Sequence, residues 1–480
     1  MFQTLCSFMF FFIILLQPAA AQGELPALVS TMTDQEVIGL TIYSNNLALV
    51  KDRRRLTLPS GISRLAFSGV SGEIRPETAI MRSISHDGGL TVIEQNFDFD
   101  LLTPQKLLEE FTGRQIGVVK THPTTGEEKV EEATVLSTNN GVVLRIGDRI
   151  ETGDVGRFIF PNVPAGLHDR PTLTMTLHSD IEQMQTVELS YLTGGLSWKA
   201  DYVAELENDE SHFALKGWVT LTNSSGTDFN HALLQLVAGN VHQALDYPIR
   251  RPTLRAAEAV TTAAPEMAEE SLFEYHLYTL ERPATITDKQ TKQIALLQAS
   301  EVEAAKEFVL KGQESFYRSR QPMAEEKLPA IVFLNFPNST ANNLGMPLPG
   351  GIVRVYKKDS ENRIQFVGED RIDHTPENET LRLRLGQAFD VTATRKQTDF
   401  QKVAGFSRYN YVLESGHQIQ LHNGKEKEVI VKVVEPLPGD WEILSENRKH
   451  VKETATTAAW QIAVPAKSEA ELTYRVRVKY

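Results

Sequence analysis

The sequence predicts a mainly β protein: tandem antiparallel, immunoglobulin-like β-sandwich modules with one short helix and a small barrel in the N-terminal part. Three observations carry that expectation. Apolar and polar residues alternate with period two over much of the chain, which is the spacing of half-buried strands. Glycine- and proline-containing turns interrupt these runs at short intervals. Only one stretch combines helical spacing with a cap at each end.

The first segment reads as a targeting signal. Phe8 to Leu16 is an apolar core too short to span a bilayer, and Ala19, Ala20 and Ala21 supply small residues for cleavage before Gln22. No Lys or Arg precedes the apolar core. The only cysteine, Cys6, lies inside this segment, so a chain cleaved after Ala21 carries no thiol for disulfides, catalysis or metal ligation. The expected location is periplasmic or secreted, with no membrane span left after signal removal.

An N-terminal β domain is expected over residues 22–165. "LTIYSNNLALVKDRRRLTLP" reads as strand, turn, strand, with "DRRRL" (Asp52 to Leu56) on a solvent face. In "FDLLTPQKLLEEFTG" Thr103 caps a helix over about 104–112, Pro104 fits its first position, Leu107, Leu108 and Phe111 share a face, and Gly113 closes it. Residues of about 113–161, with the hairpin-like "RIGDRIETGD", can close into a small barrel. A central β domain is expected over 166–390. There "VELSYLTGGLSW" places Val187, Leu189 and Tyr191 on one face, turns at Thr193-Gly194-Gly195, and resumes with Trp198, Ala200, Tyr202, Ala204 and Leu206. The insert 251–271, rich in Ala, Glu, Thr and Pro, has no periodic apolar face and is expected to be disordered. Lys292 to Gly312 has helical propensity in its middle and alternation at its flanks. A C-terminal sandwich is expected over 391–480. Its last strand sets Leu472, Tyr474, Val476, Val478 and Tyr480 against Thr473, Arg475, Arg477 and Lys479.

The 480 residues carry a net charge of -13, which disfavours nucleic acid and anionic lipid as partners. The chain contains no nucleophile elbow, zincin helix, dinucleotide fingerprint or Walker loop. No cofactor is expected. The best polar cluster is "GEDRIDHTPENE", in which Glu369, Asp370, Asp373 and His374 could hold a hard cation or act as acid and base; a strand with carboxylates in water is the plainer reading. In "FEYHLYTLERP" Glu274 and His276 would share a strand face. Trp198, Tyr202, Trp218 and Tyr278 are the aromatics whose rings could stack on a glycan, although Trp198 also reads as a core anchor. Three Asn-x-Ser/Thr sequons occur, at Asn223, Asn338 and Asn378. The terminal aromatic raises an outer-membrane β reading, which the helix, the insert and "VEPLPGDWEI" oppose.

Six ordered stretches carry a resemblance: "LSYLTGGLSWKADYVAEL", "GWVTLTNSSGTDFNHALLQLVAGNV", "FEYHLYTLERPATITDKQTKQIALL", "MPLPGGIVRVYKKD", "FVGEDRIDHTPENETLRLRLGQAFDV" and "VVEPLPGDWEIL". From Leu189 to Tyr480 the chain resembles the bacterial envelope family built around domain of unknown function 4139, distantly related to the mucoidy-inhibitor A proteins. The resemblance implies a secreted or periplasmic, sandwich-rich protein without assigned catalytic residues, and turns Lys292 to Gly312 toward a strand pair. The long heptad coiled coil of the mucoidy-inhibitor proteins is missing. The expected function is non-enzymatic binding or scaffolding, with an unidentified envelope protein or glycan as partner. The alternatives are an envelope hydrolase or metal-dependent enzyme using carboxylates and His374, and an outer-membrane-associated β protein.

Overall fold

The computed structural model describes residues 25–98, 101–139, 141–153, 155–164, 167–239, 241–243, 267–321, 326–404, 409 and 411–480. The targeting segment with Cys6, and insert residues 251–266, lie outside them. The protein is mainly β, with multiple sheets in a sandwich-like arrangement. The described residues divide into two compact units that are not contiguous in sequence: those within Met1–Glu36, Asp52–Val70 and Ala79–Leu189 form one, and those within Val37–Lys51, Ser71–Thr78 and Ser190–Tyr480 the other. A domain boundary at residue 390 would cut a single strand, Thr380–Val403.

In the first unit the helix forms as its caps dictate. It spans Pro104–Glu110, Thr103 Oγ1 accepts from Lys106 N at 3.2 Å, and Gly113 follows at φ 81°. Leu108 and Phe111 pack with Ile116, Val118, Val135 and Leu144 of the sheet that follows. That sheet has five strands, and Arg149–Thr152 and Arg157–Ile159 are its two edges. It is therefore open, where the sequence suggested a closed barrel: the short edge strands leave too few ladder bonds to join. The expected hairpin is present, with Ile146 opposite Arg149. "DRRRL" is only half solvent-facing. Alternation sends Arg53 and Arg55 outward and Asp52 and Arg54 inward, where Arg54 is fully buried. Its guanidinium donates to Asp52 Oδ2 at 2.8 Å, Ser30 O at 3.1 Å and Ser68 O at 2.9 Å, and lies 3.6 Å from the Phe67 ring centroid. A buried cation is tolerable when its donors are answered in this way.

In the second unit a five-stranded sheet runs in the order Gln290–Glu303, His212–Asn223, Leu196–Leu206, Gly351–Lys358, Ile364–Ile372. Its third and fourth strands are parallel, a departure from the purely antiparallel expectation; the long crossover between residues 206 and 351 permits it. The Gly194-Gly195 turn is a corner that carries the chain from one sheet into another. Gly195 has φ 75°, and a Cβ there would lie 2.5 Å from Ser225 Cα. The end of the insert is ordered: Met267–Leu272 pairs with Tyr275–Leu280. Lys292 to Gly312 forms two strands, Gln290–Glu303 and Ala305–Lys311, in different sheets.

The C-terminal sandwich is one nine-stranded sheet folded over a core containing Trp441, Trp460, Leu472, Tyr474, Val476 and Val478. The last strand, Ser468–Lys479, pairs antiparallel with Val412–Asn423 and buries Leu472, Tyr474, Val476 and Val478 of the expected face, while Tyr480 follows the strand and is only half-buried. Inside lies a polar network. Tyr317 OH donates to Glu435 Oε2 at 2.6 Å and contacts Tyr474 OH at 2.7 Å, Arg395 Nη2 bonds Glu435, and Phe316 stacks on the guanidinium at 4.3 Å. Burial pushes the Glu435 carboxyl up, against the pull of Arg395 and Tyr317.

The two sandwiches of this unit repeat one corner. Asn223 ends a strand, its Nδ2 donates to Thr227 O and Ile286 O, and its Oδ1 accepts from Ser225 N. Asn423 ends the corresponding strand, donates to Lys427 O and Val464 O, and accepts from Lys425 N. Three residues after Ile286 and Val464, Lys289 and Lys467 both take positive φ, 57° and 50°. One asparagine thus closes each sandwich by replacing the backbone partners that the turn lacks.

Candidate functional site

The acidic stretch does not assemble a site. Glu369 and Asp370 are consecutive on a strand and so face opposite sides of the sheet. Glu369 Oε2 is paired with Arg354 Nε at 3.2 Å. Asp370 Oδ2 accepts from Arg384 N at 2.7 Å and Oδ1 from Arg371 N at 2.9 Å. The Asp373 carbonyl accepts from Thr375 Oγ1. His374 Nδ1 accepts from Gly350 N at 3.1 Å, a bond that only an unprotonated nitrogen makes. Each side chain of the stretch that forms a bond is thus spent on holding a turn or a strand pair. Among the described residues no group of three or more His, Cys, Asp or Glu stands where it could hold a metal ion. Glu274 lies in the turn before the strand that carries His276.

Three of the four aromatics first considered for ligand contact are core residues. Trp198, Tyr202 and Tyr278 are at most 5% exposed. Alternation explains the first two, which share the inward face of Leu196–Leu206 with Ala200 and Ala204. Their polar tips bond backbone carbonyls: Trp198 Nε1 to Val237 O at 3.2 Å, Tyr202 OH to Pro349 O at 2.7 Å and Tyr278 OH to Pro347 O at 2.9 Å. Burial raises the Tyr202 phenol well above its ordinary value, so it stays a donor. The two tyrosines clamp the "PLPGG" loop, and Gly351 lets the loop's exit pass against the Ala200 carbonyl, where a Cβ would collide.

Trp218 is different. It lies on the outward face of the same sheet and is 37% exposed. The register sets Trp218, Asp201, Ile352 and Arg371 side by side across four strands, with Lys216, Val203, Arg354 and Glu369 as the next row. Beside the indole Asp201 is buried despite its outward position. Its Oδ2 accepts from Thr220 Oγ1 at 2.8 Å, its Oδ1 from Arg354 Nη1 at 3.0 Å, and Gln293 Nε2 donates to Thr220 Oγ1 at 3.2 Å. Burial opposes ionisation of Asp201, but the Thr220 and Arg354 hydrogen bonds and the nearby Lys199 and Arg354 charges outweigh it and hold the carboxyl below its usual range. Arg354 bridges Asp201 and Glu369. Farther along the face Tyr356 and Phe366 meet at 5.6 Å, with Phe366 58% exposed. The result is an outward sheet face with a buried, hydrogen-bonded polar row, one partly exposed indole and cations beside it. Chemically it can stack a ring and pair with an anion; nothing in it positions a nucleophile.

Sequence reasoning reached Trp218 and Glu369 separately but not their shared face. The missing signal was register: which strand lies beside which is set by residues up to 153 positions apart.

No helix of the described residues is long and apolar enough to cross a membrane. Comparison with curated proteins returns no match. The family model for domain of unknown function DUF4139 matches residues 187–480, which include both the Trp218 face and the C-terminal sandwich. With more than half of its length so matched, the chain belongs to the DUF4139 family.

Proposed function

We propose that the chain is an exported cell-envelope protein, periplasmic or secreted, that works by binding or scaffolding through its β-sandwich modules rather than by catalysis. One observation carries the reading: Glu369, Asp370 and His374 are tied into turns and strand pairs, whereas the outward face around Trp218 keeps an accessible ring beside a hydrogen-bonded polar row. The apolar leading segment supports export. Rigid side chains on a sheet make a better recognition surface than a loop, because less ordering entropy is lost on binding.

Cell fractionation combined with crosslinking from a photoreactive residue at position 218 tests this. Recovery in the envelope or medium with a discrete adduct is expected. Recovery in the cytosol, or a substrate turnover abolished by Glu369→Gln, overturns it.

A further inference from the structure

The charge on the Trp218 face specifies what it binds. The protein as a whole carries -13, yet here Lys199, Lys216, Arg354, Lys358 and Arg371 stand against Asp201, Glu205, Glu369 and, two positions past Arg371, the exposed Asp373. Asp201 takes Arg354 and Lys199, Glu369 shares Arg354, and Glu205 takes Lys358. Lys216 and Arg371 then remain, both exposed and without an ion pair among the described residues. Lys216 is two positions from Trp218 on the same strand and the same face, roughly 7 Å away by strand geometry. Arg371 ends the row that Trp218 begins, three strand spacings away, on the order of 14 Å.

We propose that this face binds an acidic polysaccharide, one sugar ring lying on the Trp218 indole and uronate carboxylates meeting Lys216 and Arg371. The inference rests on the binding function proposed above and names its ligand. Three features select this chemistry. The indole offers a flat apolar surface with polar groups beside it, which suits the face of a pyranose ring. Gln293, exposed and tied through Thr220 to the buried Asp201, holds a fixed polar group near the indole for sugar hydroxyls to meet. The two cations without an ion pair stand on different strands, Lys216 on the second and Arg371 on the fifth, a separation that suits successive charges on a chain better than a single anion. A protein partner would want the reverse, with aromatics clustered at the centre and charged groups depleted there.

The test uses the full mature chain with polygalacturonate as the acidic probe and dextran as the neutral one, read by affinity electrophoresis and by quenching of tryptophan emission. Retardation by polygalacturonate but not dextran is expected, weakening as salt rises. Trp218→Ala should reduce affinity at least tenfold. Lys216→Ser with Arg371→Ser should do the same and flatten the salt dependence, and both variants should keep the wild-type melting temperature, since the replaced side chains lie on the outward face. Equal retardation by dextran, or polygalacturonate binding untouched by either variant, overturns the proposal. No binding of either glycan while position 218 still crosslinks to an envelope protein overturns it too, and leaves the broader binding function standing. Should Trp218→Ala lower the melting temperature, Lys216→Ser with Arg371→Ser decides alone.

Discussion

Lowering the pH from 7 to 5 should remove about 2 kcal/mol of stability through one imidazole, that of His417. The ring is buried between Tyr317 and Tyr474, with centroids at 5.1 and 5.2 Å, and its Nδ1 has no partner. Burial, reinforced by the nearby Arg395 charge, lowers its pKa from 6.5 to about 3. Once unfolded, the side chain regains its ordinary value, so between these limits the unfolded state binds one more proton than the folded one. The contribution is fully present above pH 6.5 and declines by about 1.4 kcal/mol per pH unit as the pH falls toward 3. At pH 5 the interval below 6.5 is about one and a half units, hence the figure of about 2 kcal/mol. Urea titrations of wild type and His417→Gln at pH 7 and pH 5, followed by tryptophan emission, to which Trp441 and Trp460 of the same sandwich contribute, isolate the effect of His417, because every other titrating group is common to both proteins. Wild type should lose about 2 kcal/mol more than the variant over that interval. Equal losses would refute the reasoning, as would an imidazole proton resonance of His417 that titrates near pH 6.5.

Other consequences are as direct. Gly312→Ala places a methyl group against the Glu435 carboxylate, which Arg395 and Tyr317 hold in place; breaking that buried pair should cost about 3–5 kcal/mol, visible as a large fall in melting temperature. Tyr202→Phe strands the Pro349 carbonyl and should cost about 1–3 kcal/mol, with faster hydrogen exchange confined to the loop around Gly350. Glu369→Gln removes a half-exposed ion pair with Arg354 and should change stability by no more than about 1 kcal/mol in a thermal melt. Expressed in a host that attaches glycans to Asn-x-Ser/Thr, chains recovered folded should carry one at Asn378 alone by mass spectrometry, since a glycan on Asn223 or Asn338, both fully buried with amides donating to backbone carbonyls, would block the fold.

Local chemistry was legible in the sequence. Thr103 and Pro104 fixed where the helix starts, the Gly194-Gly195 pair marked a corner, and the alternation in the last strand named the face it buries. Alternation also says that two side chains share a face, but not whether that face meets a core or solvent. Arg54 and Arg395 were missed for that reason: each occupies an inward position on a polar strand, and only the partners Asp52 and Ser30, or Glu435 and Tyr474, make burial affordable. The Trp218 face was half visible, as an aromatic and a carboxylate far apart in sequence. Parallel pairing of Leu196–Leu206 with Gly351–Lys358 brings Arg354 between them, and no short-range pattern encodes that pairing.

The Asn423 corner also bears on how the protein ages. Asparagine followed by glycine is the dipeptide most prone to lose its amide, because the glycine nitrogen can swing onto the side-chain carbonyl carbon and close a succinimide. Here Gly424 N donates to Asp390 O at 2.7 Å, and the Asn423 amide is bonded at both ends, so neither group is free to approach the other. The reaction then proceeds only in molecules whose sandwich has opened. Aspartate and isoaspartate accumulating at position 423 would act as a slow chemical clock that counts time spent unfolded.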